Sequence, residues 1–264
     1  MPEINAPYAP GTPCWVDLMA KDQRAALDFY GQLFGWRGQP GPAEFGGYAV
    51  MEKNGRPVAG IGPAMAPEGQ PEPPHVWTTY LATDDADATA RLIGEAGGTV
   101  LFGPDDVGPL GRMAVAADPT GAVFGVWGHK EFFGAGLVNE PGTVVWNECN
   151  TRDVPAAAAF YKAAFGLTAR PIDEEGGDGY LALYPASDSE RPVGGLDDMA
   201  EHFPAEIPPH WMTTFAVADL DAVTATHAKA GGTVVLDPMP TPWGRLAGLQ
   251  DPWGAVFCVM QPEG

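Results

Sequence analysis

The sequence predicts an α+β chain made of four strand–helix–strand–strand–strand units, two to each half. Three observations predict it. First, Gly11–Gly35 (GTPCWVDLMAKDQRAALDFYGQLFG) returns as Gly142–Gly166 (GTVVWNECNTRDVPAAAAFYKAAFG), with Trp15, Asp22, Ala25, Ala26, Phe29, Tyr30, Phe34 and Gly35 each repeated 131 positions later. An internal repeat fixes architecture before any single residue does. Second, each copy alternates with a period of two, then turns at an Asp into a stripe of helical period, which reads as a strand, an N-cap and an amphipathic helix. Third, a weaker strand–helix pattern follows each copy and closes on a shared ending, Asp118-Pro119-Thr120-Gly121-Ala122-Val123-Phe124 and Asp251-Pro252-Trp253-Gly254-Ala255-Val256-Phe257.

In chain order, residues 1–10 read as a loose arm, 11–130 as the first module, 131–141 as a linker and 142–264 as the second module. Pro13 to Lys21 alternate, with Trp15, Asp17 and Met19 on one face and Cys14, Val16 and Leu18 on the other. Asp22 caps a helix to about Phe34, with Gly35 past its end. Tyr48–Glu52 and Pro57–Ile61 are strands around the turn Asn54-Gly55. Pro63–Pro74 is a Pro-rich connector. His75–Ala82 is a strand, Asp84 starts a helix that ends at Ala96-Gly97-Gly98, and Arg112–Ala117 and Ala122–Trp127 are strands about the Asp118 turn. The second half repeats the plan: strand Val144–Asn150, helix Asp153–Phe165, strands Tyr180–Tyr184 and Pro192–Leu196, and connector Asp197–Pro209. There follow strand His210–Ala218, a helix from Asp219, and strands Arg245–Leu249 and Ala255–Met260. Pro73-Pro74-His75 aligns with Pro208-Pro209-His210, and Gly111-Arg112 with Gly244-Arg245.

Composition excludes several functions. Across 264 residues there are 14 Lys and Arg against 34 Asp and Glu, a net charge of -20. Phosphate neutralisation needs the opposite sign, so nucleic acid and anionic membrane are not expected partners. No apolar run approaches a bilayer span, and the N-terminus carries no secretory signal. Cys14, Cys149 and Cys258 have no zinc-type spacing and suit a reducing compartment, so a cytoplasmic protein is expected. No phosphate loop, dinucleotide fingerprint or Ser–His–Asp pattern is present.

The paired A-x-x-F-Y-x-x-x-F-G segments and the paired G-R…D-P-x-G-A-x-F endings resemble the vicinal oxygen chelate superfamily. This is the group of glyoxalase I, the bleomycin- and fosfomycin-resistance proteins and the extradiol dioxygenases. The four-unit arrangement is most similar to tandem glyoxalase-like proteins of actinomycetes, and the likeness runs from about Gly11 to Met260. The resemblance implies two tandem modules, each a cupped mixed sheet with helices outside. It also implies a metal in the cup, held by a His or Gln seven residues before the helix-cap Asp, a His opening the second unit, and a Glu four residues after the turn Gly. Those positions hold Trp15, His75 and Gly125 in the first module, and Trp146, His210 and Cys258 in the second. Each cup keeps one ligand type of three, so no cofactor is expected. The alternative is a divalent metal such as zinc, iron, manganese or nickel on Glu148, His210 and Cys258.

The expected ligand-binding residues are therefore the cup-facing ones. Trp15, Met19, Trp77 and Trp127 are assigned to the first cup, and Trp146, Met212 and Met260 to the second, with His75 and His210 at the strand starts. Aromatic side chains at two-residue spacing on a concave sheet suit a flat hydrophobic ligand. Equally, they suit a filled core. Asp17 and Glu148 are acids among these apolar groups, either raised in pKa or paired with Arg112 and Arg245. A second reading pairs those arginines with Asp118 and Asp251. Trp243 and Trp253 are candidates for the rim of the second cup. Two functions stay open: metal-independent binding of a small hydrophobic, aromatic molecule, of the sequestration type, or a divalent-metal lyase, isomerase or dioxygenase. A bare scaffold for partner proteins is the third, and the chain is expected to be a monomer or homodimer.

Overall fold

The computed structural model describes residues 3–65, 72–172, 180–200 and 203–263. The first half runs β1 (Pro13–Ala20), α1 (Gln23–Phe34), β2 (Ala49–Lys53), β3 (Arg56–Pro63), β4 (Trp77–Thr83), α2 (Ala86–Glu95), β5 (Thr99–Val107), β6 (Gly111–Ala117) and β7 (Val123–His129). The second runs β8 (Val144–Thr151), α3 (Val154–Phe165), β9 (Thr168–Arg170), β10 (Leu181–Tyr184), β11 (Gly194–Asp198), β12 (His210–Ala216), α4 (Leu220–Lys229), β13 (Thr233–Thr241), β14 (Gly244–Gln250) and β15 (Val256–Pro262). The fold is α+β, as expected: two mixed sheets with the helices outside the cups.

The helix boundaries follow from capping. Asp22 accepts the Ala25 N–H at 3.1 Å and Asp153 the Ala156 N–H at 3.0 Å. Each carboxylate thus satisfies an N–H that has no partner within the helix. Gly35 (φ 73°) and Gly166 (φ 71°) end these helices in the left-handed region that glycine enters without strain. The second-unit helices are capped by Asp85 and Asp219, which accept from Ala88 and Ala222. The expected start at Asp84 is thus one residue early.

Each module owns one sheet, in the orders β2-β3-β1-β4-β7-β6-β5 and β13-β14-β15-β12-β8-β11-β10-β9. The centre of each is an antiparallel pair, β1 with β4 and β8 with β12, flanked by parallel neighbours. Register sets the faces. Trp15 lies opposite Tyr80 and Asp17 opposite Thr78, while Val16 and Leu18 lie opposite Thr79 and Trp77. Directly opposed residues share a face, so Trp77 is on the helix side.

The cores run across the module boundary. Phe29, Tyr30 and Phe34 of α1 pack with Phe215, Leu249, Phe257 and Val259 of the second sheet. Phe160, Tyr161 and Phe165 of α3 pack with Leu81, Phe124 and Val126 of the first. The ring centroids of Phe34 and Phe215 are 4.8 Å apart. Each such side chain contributes roughly 1.5–3 kcal/mol by leaving water, and here the contribution belongs to neither module alone.

Hydrogen bonds follow the same exchange. Trp77 Nε1–H donates to Tyr30 Oη, which donates to Asp251 Oδ2 at 2.9 Å. Trp211 Nε1–H donates to Tyr161 Oη, which donates to Asp118 Oδ2 at 3.0 Å. The other oxygen of each Asp ties its own turn, Asp118 to the N–H groups of Thr120, Gly121 and Ala122, and Asp251 to those of Trp253 and Ala255. The F-Y of one module and the D-P-x-G of the other are thus two ends of one contact. Arg112 and Arg245 do not reach these aspartates; they pair with Asp87 and Asp221 on the exposed helix side.

Two further expectations change. Residues 3–10 are anchored: Ile4 N–H donates to Gly136 O, Tyr8 Oη to Ala135 O, and Arg56 pairs with Glu3. β5 and β13 are long edge strands whose exposed faces and prolines (Pro104, Pro238, Pro240) hide the alternation a strand normally shows. Of the expected connector Pro63–Pro74, residues 66–71 lie outside the described residues, as do 201–202 of the connector 197–209. Among the described residues no helix is long and apolar enough to cross a membrane.

Candidate functional site

The two cups are built on one plan and filled differently. In the first, Trp15 Nε1–H donates to Tyr48 Oη at 2.8 Å, and Tyr48 Oη donates to Asp17 Oδ2 at 3.0 Å. In the second, Trp146 Nε1–H donates to Tyr180 Oη at 2.6 Å, and Tyr180 Oη donates to Glu148 Oε2 at 3.1 Å. Both tyrosines reach the acid by lying over a glycine: a Cβ at Gly60 would overlap Tyr48 Oη, and one at Gly195 would overlap Tyr180 Oη. This Trp–Tyr–acid chain was not foreseen. Its signal was available, since Tyr48 and Tyr180 stand 132 positions apart and follow the repeat.

The first cup is plugged by its own residues. Tyr80 covers Gly125 and donates a second hydrogen bond to Asp17 Oδ2 at 3.1 Å. Trp127 faces the same space, and Phe132 from the linker packs edge-on against both Trp15 and Trp127. Asp17 is 3% exposed, and its Oδ1 has no hydrogen-bond partner among the described residues. Burial pushes its carboxyl up to about 7, against the pull of the two tyrosine hydroxyls. Met19 shares this face, opposite Gly62.

The second cup is more exposed than the first, and it differs by substitution. Thr214 takes the place of Tyr80, Cys258 that of Gly125 and Met260 that of Trp127. Trp146, Glu148, Tyr180, Cys258 and Met260 are half-buried where most of their counterparts are buried. Trp243 stands at the rim, 52% exposed, its ring centroid 6.5 Å from that of Tyr180. Met212 lies opposite Glu148 on the cup face. Burial, then the negative charge of Asp197, push the Glu148 carboxyl up to about 7, and the Tyr180 hydrogen bond opposes them. Asn150 follows Glu148 on the same face, where the first cup has Met19. It is 1% exposed, and neither Oδ1 nor Nδ2 has a partner among the described residues. The Cys258 thiol is pushed up to about 12 by burial and by Glu148.

Two expected cup residues lie elsewhere. Trp77 is in the interface core with Tyr30. His75 is buried beside it: Nε2 meets Asp251 Oδ2 at 2.8 Å and Nδ1 meets Met19 O at 3.3 Å. Hydrogen bonds from His75, Ala255 and Tyr30 hold the Asp251 carboxyl below its usual range although burial raises it. The structure aligns Trp77 with Trp211, so His75 corresponds to Pro209, not to His210. A one-residue slip exchanges the two faces of a strand: His75 points to the interface and His210 to the second cup. Trp253 also packs in the interface, against Phe29 and His75, and does not rim the cup.

The Glyoxalase/Bleomycin resistance protein/Dioxygenase superfamily profile matches residues 14–126 and again 142–259. The chain belongs to this superfamily. It is 44% identical over 260 residues to the protein named glyoxylase CFP32 of Mycobacterium tuberculosis, covering 97% of this chain and 96% of the relative. It is 39% identical over 273 residues to the anthracycline biosynthesis protein DnrV of Streptomyces peucetius, covering 96% and 94%. Among solved structures, the Mn(II)-bound glyoxalase from Novosphingobium aromaticivorans aligns with a TM-score of 0.64 at 16% identity, over 96% of this chain and 82% of that one. A catechol 2,3-dioxygenase aligns at 0.59 with 12% identity, over 97% and 95%. These two show a shared fold.

The three metal positions that this superfamily implies do not fit a cation in the first cup, and in the second only His210 and Cys258 are of ligand type. In the first cup they are an indole engaged with Tyr48, a histidine turned to the far side of the sheet, and a glycine under Tyr80. In the second, Trp146 is engaged with Tyr180, and His210 Nδ1 donates to Pro208 O while its ring rests on Phe203. The alternative set of Glu148, His210 and Cys258 is not drawn together. Among the described residues no three His, Cys, Asp or Glu side chains lie where one cation could share them.

Proposed function

We propose that this glyoxalase-superfamily protein binds a small, flat, aromatic molecule in its second cup, without a metal. The observation that carries the reading is the exchange of Tyr80 and Trp127 for Thr214 and Met260, which leaves Trp146, Tyr180 and Met260 half-buried around Glu148. Apolar walls with a few fixed polar groups are the usual chemistry of a small-molecule site. That Glu148, His210 and Cys258 do not converge on one point supports binding without a cation. A relative at 39% identity is named for anthracycline biosynthesis, and anthracyclines are fused-ring aromatics.

Tryptophan quenching by naphthalene-sized and anthraquinone-sized probes tests the reading. Saturable quenching is expected in the wild type, weakened at least tenfold in Trp146→Ala and unchanged in Trp15→Ala. Equal affinity in Trp146→Ala, or loss confined to Trp15→Ala, would place the ligand elsewhere.

A further inference from the structure

The second cup is not uniformly apolar, and its charged groups share one sign. Glu148 is the acid at its base. The titratable groups around it are Tyr180 beside it, Asp197 on β11, His210 on β12 and Cys258 on β15. Burial holds the His210 imidazole below its usual range and the Cys258 thiol far above, so both are neutral near pH 7. No Lys or Arg among the described residues is paired with Glu148, and none figures among the causes that set its carboxyl. Arg245 on the neighbouring β14 is spent on Asp221.

Asn150 supplies a second, independent sign. It is buried on the same strand face, two residues on from Glu148, with both ends of its amide unpartnered among the described residues. A buried amide without a partner carries a desolvation cost, and a ligand with a polar head at this depth would remove it. Around these groups stand the faces of Trp146, Tyr180 and Trp243 and the thioethers of Met212 and Met260. A carboxylate at the base of aromatic walls suits an organic cation, because ring faces attract positive charge where water is excluded.

We propose that the second cup selects ligands in which a planar ring carries an ammonium group. The nitrogen sits between Glu148 and Asn150, and the ring lies against Trp146 and Met260. This rests on the reading of the second cup as the ligand site and adds the charge of what it takes. The Asn150 carbonyl and the Glu148 oxygen that Tyr180 does not bond accept N–H bonds from the ammonium. Tyr180 keeps its hydrogen bond to Glu148 and presents its ring to the cation. The first cup has Met19 in place of Asn150 and is closed by Tyr80, so it does not share this selectivity.

Linkage gives the sign of the pH effect. A cation binds the ionised form of Glu148, whose carboxyl titrates near 7, so binding expels a proton and tightens as pH rises from 6 to 8. A neutral ligand of the same shape gains nothing from that rise.

The test pairs 2-naphthylmethylamine with 2-naphthalenemethanol, followed by calorimetry at pH 6 and pH 8. The amine is expected to bind at least tenfold more tightly at pH 8, with proton release and weakening at pH 6. The alcohol is expected to be indifferent to pH. In Glu148→Gln, the isostere of the protonated acid, the amine should fall to the affinity of the alcohol, with a near-ultraviolet dichroism spectrum like that of the wild type showing the cup intact. Asn150→Leu should weaken the amine more than the alcohol. If alcohol and amine bind equally to the wild type, the charge selectivity is wrong and the aromatic site stands. An amine preference that survives Glu148→Gln also overturns the proposal, tracing it to the net charge of the chain. If neither probe binds, the reading of the second cup as an aromatic site falls with it.

Discussion

Tyr30 on α1 donates a hydrogen bond to Asp251 in the other module at 2.9 Å, and Tyr161 on α3 does the same to Asp118 at 3.0 Å. Each hydroxyl also accepts the indole N–H of Trp77 or Trp211. Removing it strands a buried donor and takes one partner from a buried carboxylate. Tyr30→Phe and Tyr161→Phe should each cost about 1–3 kcal/mol in urea unfolding. The two lie in separate cores, so the double variant should lose the sum within about 0.5 kcal/mol. A loss below ~0.5 kcal/mol in either single variant would show that the relay is decorative.

The exchange of helices has a larger consequence. Cut at the linker, residues 142–264 would expose Phe215, Leu249, Phe257 and Val259, which α1 covers in the whole chain. The fragment alone should lack near-ultraviolet dichroism and a cooperative thermal transition, while the full chain unfolds in a single step. A fragment that melts sharply at a temperature close to that of the full chain would contradict the shared core.

Asp17 sets a pH dependence of stability. Its folded carboxyl titrates near 7, against about 3.9 in an unfolded chain. Between those values the folded state holds a proton that the unfolded state has released, so stability falls as pH rises from about 4 to about 7 and is level above. Three units correspond to at most about 4 kcal/mol. Asp17→Asn keeps the acceptor for Tyr48 and Tyr80 and cannot ionise. Its melting temperature should exceed that of the wild type at pH 8, with the advantage shrinking towards pH 4. Parallel melting curves at all pH values would mean that Asp17 stays ionised in the folded protein.

Most of the fold was legible because its signals are local. Asp22, Asp153 and Asp219 announce their helices, Gly35 and Gly166 end two of them, and the repeat sets the unit count. The tertiary features were not legible. Aligning Pro73-Pro74-His75 with Pro208-Pro209-His210 displaces β4 by one residue, and that error put the cap at Asp84 instead of Asp85 and turned His75 and Trp77 into the cup. The indoles of Trp77 and Trp211, each bound to a Tyr of the F-Y motif, give the true register, but only once the helices are in place. The acids Asp17 and Glu148 were located from strand parity alone. Their tyrosine partners come from strands distant in sequence, and Asn150 passed unnoticed because its neighbours form no motif.

The contrast between the cups also gives a prediction that separates filling from function. Thr214→Tyr restores the side chain that closes the first cup. In that cup the Tyr80 ring lies over Gly125, where any Cβ would collide with it. The second cup has Cys258 at that position, so the single substitution overpacks the site and should cost roughly 1–3 kcal/mol. Adding Cys258→Gly removes the obstructing side chain, and most of that loss should return. Both variants should lose aromatic-probe binding by at least tenfold, since the new ring occupies the space beside Trp146 and Glu148. Recovered stability with lost binding in the double variant is the decisive pattern, because a merely unfolded protein cannot give it. Binding that persists in the stable double variant would mean that the ligand does not enter between Thr214 and Cys258.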